Sequence, residues 1–343
     1  MRKLFFIYAL TFICALGLSA KTNSFAFLTL PYSSQAAALG GKNVSYRSGD
    51  LNFSMQNPAL LTNEMHKSLA LNVTSYLADI NFGSVIYCHN IDTMNFLSYG
   101  VQFINYGKFT ERNERDEEMG SFSANDWAMY VSYGRRLSER WTAGATLKPV
   151  FSSYESYFSF ALAVDLGVSY YNKEKDFSFG FAMRNIGRQL KGYYKEDNAQ
   201  HIERLPFDIS LGITQKLAHA PFRYSITLHN LQKWDNYADY AKKGENENTI
   251  EKNAITFGDN LLRHFILGIE FVPSDKFFIA IGYNHQRRRE LKVFENKSLN
   301  GFSAGLGLKI SKFNIGFSVA KYHVMNMSYN FSLSTNFNAF RKL

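Results

Sequence analysis

Cysteine is almost missing from this chain, with only Cys14 and Cys88 among 343 residues. Cys14 follows Ile13, where lipid attachment needs a small residue, so a lipoprotein anchor is not expected. It also lies inside an apolar leader. Once that leader is removed Cys88 is alone, which excludes a disulfide framework or a paired-thiolate metal site within one chain. Cys88 then reads as a small packing residue. Proline is scarce as well, with 6 in all, so long runs of backbone are free to donate every ladder hydrogen bond. No stretch after Ala20 approaches the roughly 20 consecutive apolar residues of a membrane-spanning helix. Catalytic spacing is equally absent. There is no H-E-x-x-H, His219, His229, His264, His285 and His323 are dispersed, and Gly305-Leu306-Gly307-Leu308-Lys309 lacks the spacing of a phosphate loop. No Ser-His pair is singled out by its surroundings. These absences predict a protein that is not an enzyme and carries no metal and no cofactor.

What is present begins with Arg2 and Lys3, an apolar run from Leu4 to Leu18, and the small pair Ser19-Ala20 before Lys21. That order is a secretory signal peptide over residues 1–20. Aromatics are abundant, with Phe 31 and Tyr 21. From Ser68 onward the hydrophobic period is two. Phe313, Ile315, Phe317 and Val319 alternate with Asn314, Gly316, Ser318 and Ala320, and Phe207 to Thr214, Phe177 to Arg184 and Ala161 to Val168 repeat the split. A soluble sandwich also alternates, but its water face carries Lys, Glu, Thr and Arg. Here the second face is Gly, Ala, Ser and Asn with isolated charges, which suits a crowded barrel interior whose apolar side meets lipid. The expected fold is therefore all-β, a transmembrane antiparallel barrel of about 14 strands.

The connections alternate in length. Residues 107–124, 189–205, 231–262 and 287–297 form long charged loops, whereas 136–140, 172–176, 218–221, 272–276 and 311–312 are short. Outer-membrane barrels place short turns in the periplasm and long loops outside, so both termini are expected to be periplasmic. Residues 21–66 differ from the rest. Ala36-Ala37-Ala38-Leu39-Gly40-Gly41 and the motif Asn57-Pro58-Ala59 are short turns or helices without a lipid-length run, and their apolar content predicts a packed periplasmic hatch rather than a linker. The barrel proper would then span 67–343. Asp165, Arg184, Asp208 and Glu270 fall on its inward parity, where they either pair across the lumen or line a pore. The longest loop concentrates Trp234, Asp235, Tyr237 and Tyr240, the aromatic and polar mixture of an interface anchor or of a membrane belt. Arg287-Arg288-Arg289 is either a solvated run or a contact for lipopolysaccharide phosphates. Despite the net charge of +9, nucleic acid is not an expected partner of an exported barrel.

Several strings carry a resemblance. Phe27 to Pro31, Ala36 to Gly41 and Gln56-Asn57-Pro58-Ala59-Leu60-Leu61 resemble the PorV/PorQ family of fatty-acid-transporter-like outer-membrane barrels. Ile104 to Phe109, Phe122-Ser123-Ala124, Arg184-Asn185-Ile186-Gly187, Leu205-Pro206-Phe207-Asp208, His219 to Arg223 and His229 to Asp235 are similar to its PorQ branch, so the likeness covers nearly the whole mature chain. It implies a 14-stranded barrel with an N-terminal hatch, in the attachment complex of a type IX secretion system. There it would hold a PorZ-like surface protein and work indirectly with the PorU/PorV sortase complex, among outer-membrane lipid and lipopolysaccharide. The resemblance carries no catalytic residue. The alternative that the wider barrel group implies is a channel for small hydrophobic compounds.

Overall fold

In a computed structural model, the described residues are 24–77, 80–196, 199–234, 257–291, 299–323 and 326–340. The signal peptide, Asp235, Tyr237 and Tyr240 lie outside them. Strands β1 (Ser68–Leu77), β2 (Ile80–Asn90), β3 (Asn95–Arg112), β4 (Glu118–Arg136), β5 (Trp141–Tyr154), β6 (Tyr157–Asn172) and β7 (Phe177–Lys191) are joined in sequence. A small separate hairpin follows, β8 (Lys195–Glu196) with β9 (Ala199–Gln200). The wall resumes with β10 (Asp208–Lys216), β11 (Phe222–Leu228), β12 (Phe265–Ser274), β13 (Phe277–Asn284), β14 (Phe302–Ile310), β15 (Phe313–Ala320) and β16 (Ser328–Asn336). Every neighbour is antiparallel and β1 pairs with β16, so 14 strands close a barrel without a free edge.

Its two faces are the inverse of a soluble sheet. Val73, Ile281, Ile269 and Phe317 point outward and are exposed, whereas Thr74, Ser84, Ser132, Ser210 and Asn330 are buried within. Outward aromatics gather in two rows, as interfacial belts do. Phe103 meets Trp127 at 5.5 Å and Phe151 meets Phe160 at 5.1 Å toward the long-loop end. Toward the short-turn end, Trp141 meets Tyr170 at 5.1 Å and Phe222 meets Phe271 at 5.4 Å.

The expected long loops carry regular structure. Most of 107–124 is strand: β3 and β4 run on past a bulge between Asn105 and Lys108, where Gly107 has φ 91°, and pair as far as Arg112 with Glu118. The wall from β3 to β7 therefore stands taller than that from β10 to β16. Over the low side sit two short helices, α2 (Phe257–Arg263) and α3 (His285–Glu290), pinned together where Asp259 accepts from Arg263 at 3.0 Å and from Arg289.

Residues 24–66 fill the lumen as short pieces: α1 (Ser34–Ala38) and four 3-10 turns, Ala26–Thr29, Leu51–Met55, Pro58–Leu60 and Asn63–Met65. They do not start at the short-turn end, where the sequence reading puts the beginning of the hatch. The Ser24 hydroxyl bonds to Glu203, in the long connection after β7, so the segment enters from the long-loop end and descends to β1. The extreme N-terminus precedes the described residues.

Candidate functional site

The hatch fits because the wall gives up side chains where it passes. A Cβ at Gly144 would lie 2.6 Å from the Pro58 carbonyl carbon, and one at Gly167 would lie 2.0 Å from Asn57 Oδ1. On the opposite wall, a Cβ at Gly282 would lie 2.2 Å from the Gly40 nitrogen and one at Gly305 2.7 Å from Ala38 Cβ. Thus the Asn57-Pro58-Ala59 motif is held by β5 and β6, while α1 is held by β14 and β15 and the Leu39-Gly40 turn after it by β13. Asn57 shapes its own turn, since Oδ1 accepts from the Ala59 amide at 3.0 Å and Nδ2 donates to the Val44 carbonyl at 2.7 Å. Pro58 opens the 3-10 turn, where its missing donor costs nothing.

Charged side chains join hatch to wall. Asp165, Arg184, Asp208 and Glu270 are all nearly fully buried. The first three share one seam. Lys148 Nζ lies 2.7 Å from Asp165 Oδ1, which also accepts from the Asn185 amide at 2.7 Å. Asn185 has φ 58° and forms a bulge opposite Asp165, and its Nδ2 donates to the Pro206 carbonyl at 2.8 Å. Arg184 stands in register with Asp208, whose carboxylate takes Lys42 of the hatch at 3.1 Å and the Asn230 amide at 2.8 Å. Glu270 is a separate lock toward the short-turn end. It accepts from Gln35 at 2.8 Å and Tyr46 at 3.0 Å, both in the hatch, and pairs with Arg223 at 3.4 Å. Sequence reading missed Lys42, Lys148 and Asp126. Lys148 was legible by parity, between outward Leu147 and Pro149.

Along the tall wall runs an inward column of aromatics. Phe109 stacks on Phe122 at 5.3 Å, Tyr106 lies 5.8 Å from Tyr154, Tyr154 lies 5.3 Å from Tyr193, and Tyr193 lies 6.4 Å from Phe25 of the hatch. Asp126 organises this column, taking the hydroxyls of Tyr106 at 2.7 Å, Tyr154 at 3.1 Å and Ser152. Below it Phe25, Phe27, Leu28, Ile104, Tyr130 and Leu205 form part of one apolar cluster. At the opposite end a cavity of about 450 Å³ lies between the hatch and β11 to β16, with Tyr46, Asp50, Arg223, Lys276 and Phe278 on its walls.

Trp234 is partly exposed and engaged within the chain. Its Nε1 donates to the Leu231 carbonyl at 2.7 Å and its ring lies 4.5 Å from His264. In the arginine run, Arg287 lies 4.3 Å over Tyr322 and Arg289 holds Asp259, which leaves Arg288 turned outward. Cys88 is fully buried in the lumen cluster.

No family model and no curated protein matches the chain. Solved structures do. The CymD monoaromatic hydrocarbon channel aligns with TM-score 0.57 and 12% identity over 90% of this chain and 98% of that one. The Ralstonia pickettii toluene transporter TbuX gives 0.53 and 12% over 91% and 100%. The Pseudomonas putida toluene transporter TodX gives 0.51 and 11% over 89% and 96%. At that identity the likeness is one of fold: the chain shares its closed barrel architecture with these structures.

Proposed function

We propose that this barrel is a channel for small hydrophobic compounds of aromatic size, which enter at the long-loop end and leave past the hatch. The observation that carries this is the inward column from Phe109 and Phe122 through Tyr106, Tyr154 and Tyr193 to Phe25 and Phe27. Such a column offers stacking surface to a flat apolar solute. The fold neighbours are channels for such solutes, which supports this reading over the anchoring one. The hatch closes the path at rest, and the cavity of about 450 Å³ beside it is a place for solute to emerge. The test is uptake of labelled toluene by cells that make the barrel, against cells making a Phe25→Asp, Tyr193→Ser double variant that still assembles. Wild-type uptake several-fold above the variant is expected. Equal uptake by both, matching cells without the barrel, would reject the channel.

A second reading is favoured by a different feature. The β3–β4 hairpin continues well beyond the outward pair Phe103 and Trp127, so it stands clear of the lipid as a rigid mast. Together with the PorV/PorQ resemblance, that shape supports anchoring of a PorZ-like surface protein, with the PorU/PorV sortase complex as an indirect partner. Removing residues 109–122, the upper ends of β3 and β4 with their turn, would release such a partner from the cell surface and leave the closed wall below Lys108 and Ser123 in place. Undiminished retention would reject the mast as its holder.

A further inference from the structure

Arg184 is a buried cation that, among the described residues, makes no ion pair of its own and shares Asp208, its partner in register, with Lys42. It is 6% exposed, and a guanidinium stays protonated in any protein setting. The carboxylates nearest along the wall are already committed. Asp165 holds Lys148 at 2.7 Å and the Asn185 amide, and Asp208 holds Lys42 at 3.1 Å together with Asn230 and Ser210. Asp126, the next along, is wrapped by three hydroxyls, and among the described residues it makes no ion pair with Arg184. What remains to Arg184 is a 3.4 Å contact from Nη2 to the Leu28 carbonyl, while its Nε is enclosed and has no partner. Buried charges are ordinarily paired, because an isolated one forfeits its hydration without return.

Arg184 lines a small chamber of about 20 Å³, together with Ser33, Gly41 and Gln56 of the hatch and Asn72 and Gln102 of the wall. That is room for a small guest. Water there would leave the charge uncompensated. The Ser33 hydroxyl accepts from the Ala36 amide and keeps its own proton to donate, giving the chamber a second donor from the hatch.

We propose that this chamber holds a halide-sized monovalent anion, which neutralises Arg184 and ties hatch to wall. Crystals of the full-length barrel grown in bromide should show an anomalous peak in the chamber beside Arg184. In detergent, replacing chloride by the larger gluconate at fixed ionic strength should lower the melting temperature by about 2 to 4 °C. Arg184→Gln should show no response to that exchange. Density for water alone in the bromide crystals would overturn the proposal, as would a peak with no anion dependence in solution, which is binding at crystal concentration only. An equal response in Arg184→Gln would overturn it too. Should that variant fail to assemble, the bromide peak and the chloride response of the native barrel decide the matter alone.

Discussion

Gly167 packs against Asn57 more closely than any residue with a side chain could. Its counterpart in this respect is Gly258 in α2, around which nothing lies within 4 Å of an added methyl. The pair makes a controlled experiment on how the hatch is seated. Gly167→Ala should cost about 1 to 3 kcal/mol through overpacking, because the neighbour is a buried amide already fixed by two hydrogen bonds. Gly258→Ala should be neutral or slightly stabilising, as alanine suits a helix better. Thermal melting and protease sensitivity of the hatch measure both. Similar stability in the two variants would mean that the hatch yields at Asn57 rather than being clasped there. The same logic explains why a wall strand carries Gly where sequence alternation alone asks only for something small.

At the scale of a strand, β15 states the facing rule most directly. Phe317 is 41% exposed, and its neighbour in β14 is Leu306, likewise outward. Asn314 lies at the margin of the short-turn cavity. Phe317→Arg should therefore cost about 2 to 4 kcal/mol for a cation facing mid-bilayer, and Asn314→Arg far less. Heat-modifiable mobility of the assembled barrel reads the difference, and equal losses would reverse the facing. Strands of this kind are legible in the sequence because lipid demands an apolar residue at every second position, and that period also gives the strand number of 14. The upper parts of β3 and β4 were not, because beyond Phe103 and Trp127 nothing apolar surrounds the wall. Lys108, Thr110, Glu111 and Ser121 pair there by backbone alone, closed by the turn at residues 113–117, and so read as a charged loop. The inward charges were legible by parity, but their partners were not. Lys42 comes from the hatch, and neither its meeting with Asp208 nor the αL bulge at Asn185 leaves a periodic trace. Trp234 showed the composition of an interface anchor, while its ring is spent largely on His264 and Phe257.

For the molecule as a whole, the asymmetry of the wall fixes which experiments can tell its two ends apart. The hairpin turn around residues 113–117 is exposed on every side, held by local contacts such as Arg112 with Glu118 at 3.0 Å and the Asn113 amide with the Glu117 carbonyl at 3.1 Å. A protease site inserted there alters no contact with the barrel body. The turn at Ser311 and Lys312 lies at the other end, against Phe340, over which Lys312 sits at 4.5 Å. If the long-loop end faces the outside, intact cells should lose the first site to added protease and keep the second, and both should be cut once the outer membrane is breached. Cutting at residue 311 alone in intact cells would turn the barrel over. It would also put the aromatic mouth in the periplasm, so that the channel reading would have to run in reverse and the mast reading would lose its surface partner. One topology experiment therefore bears on both functional proposals, because each needs the tall wall outside the cell.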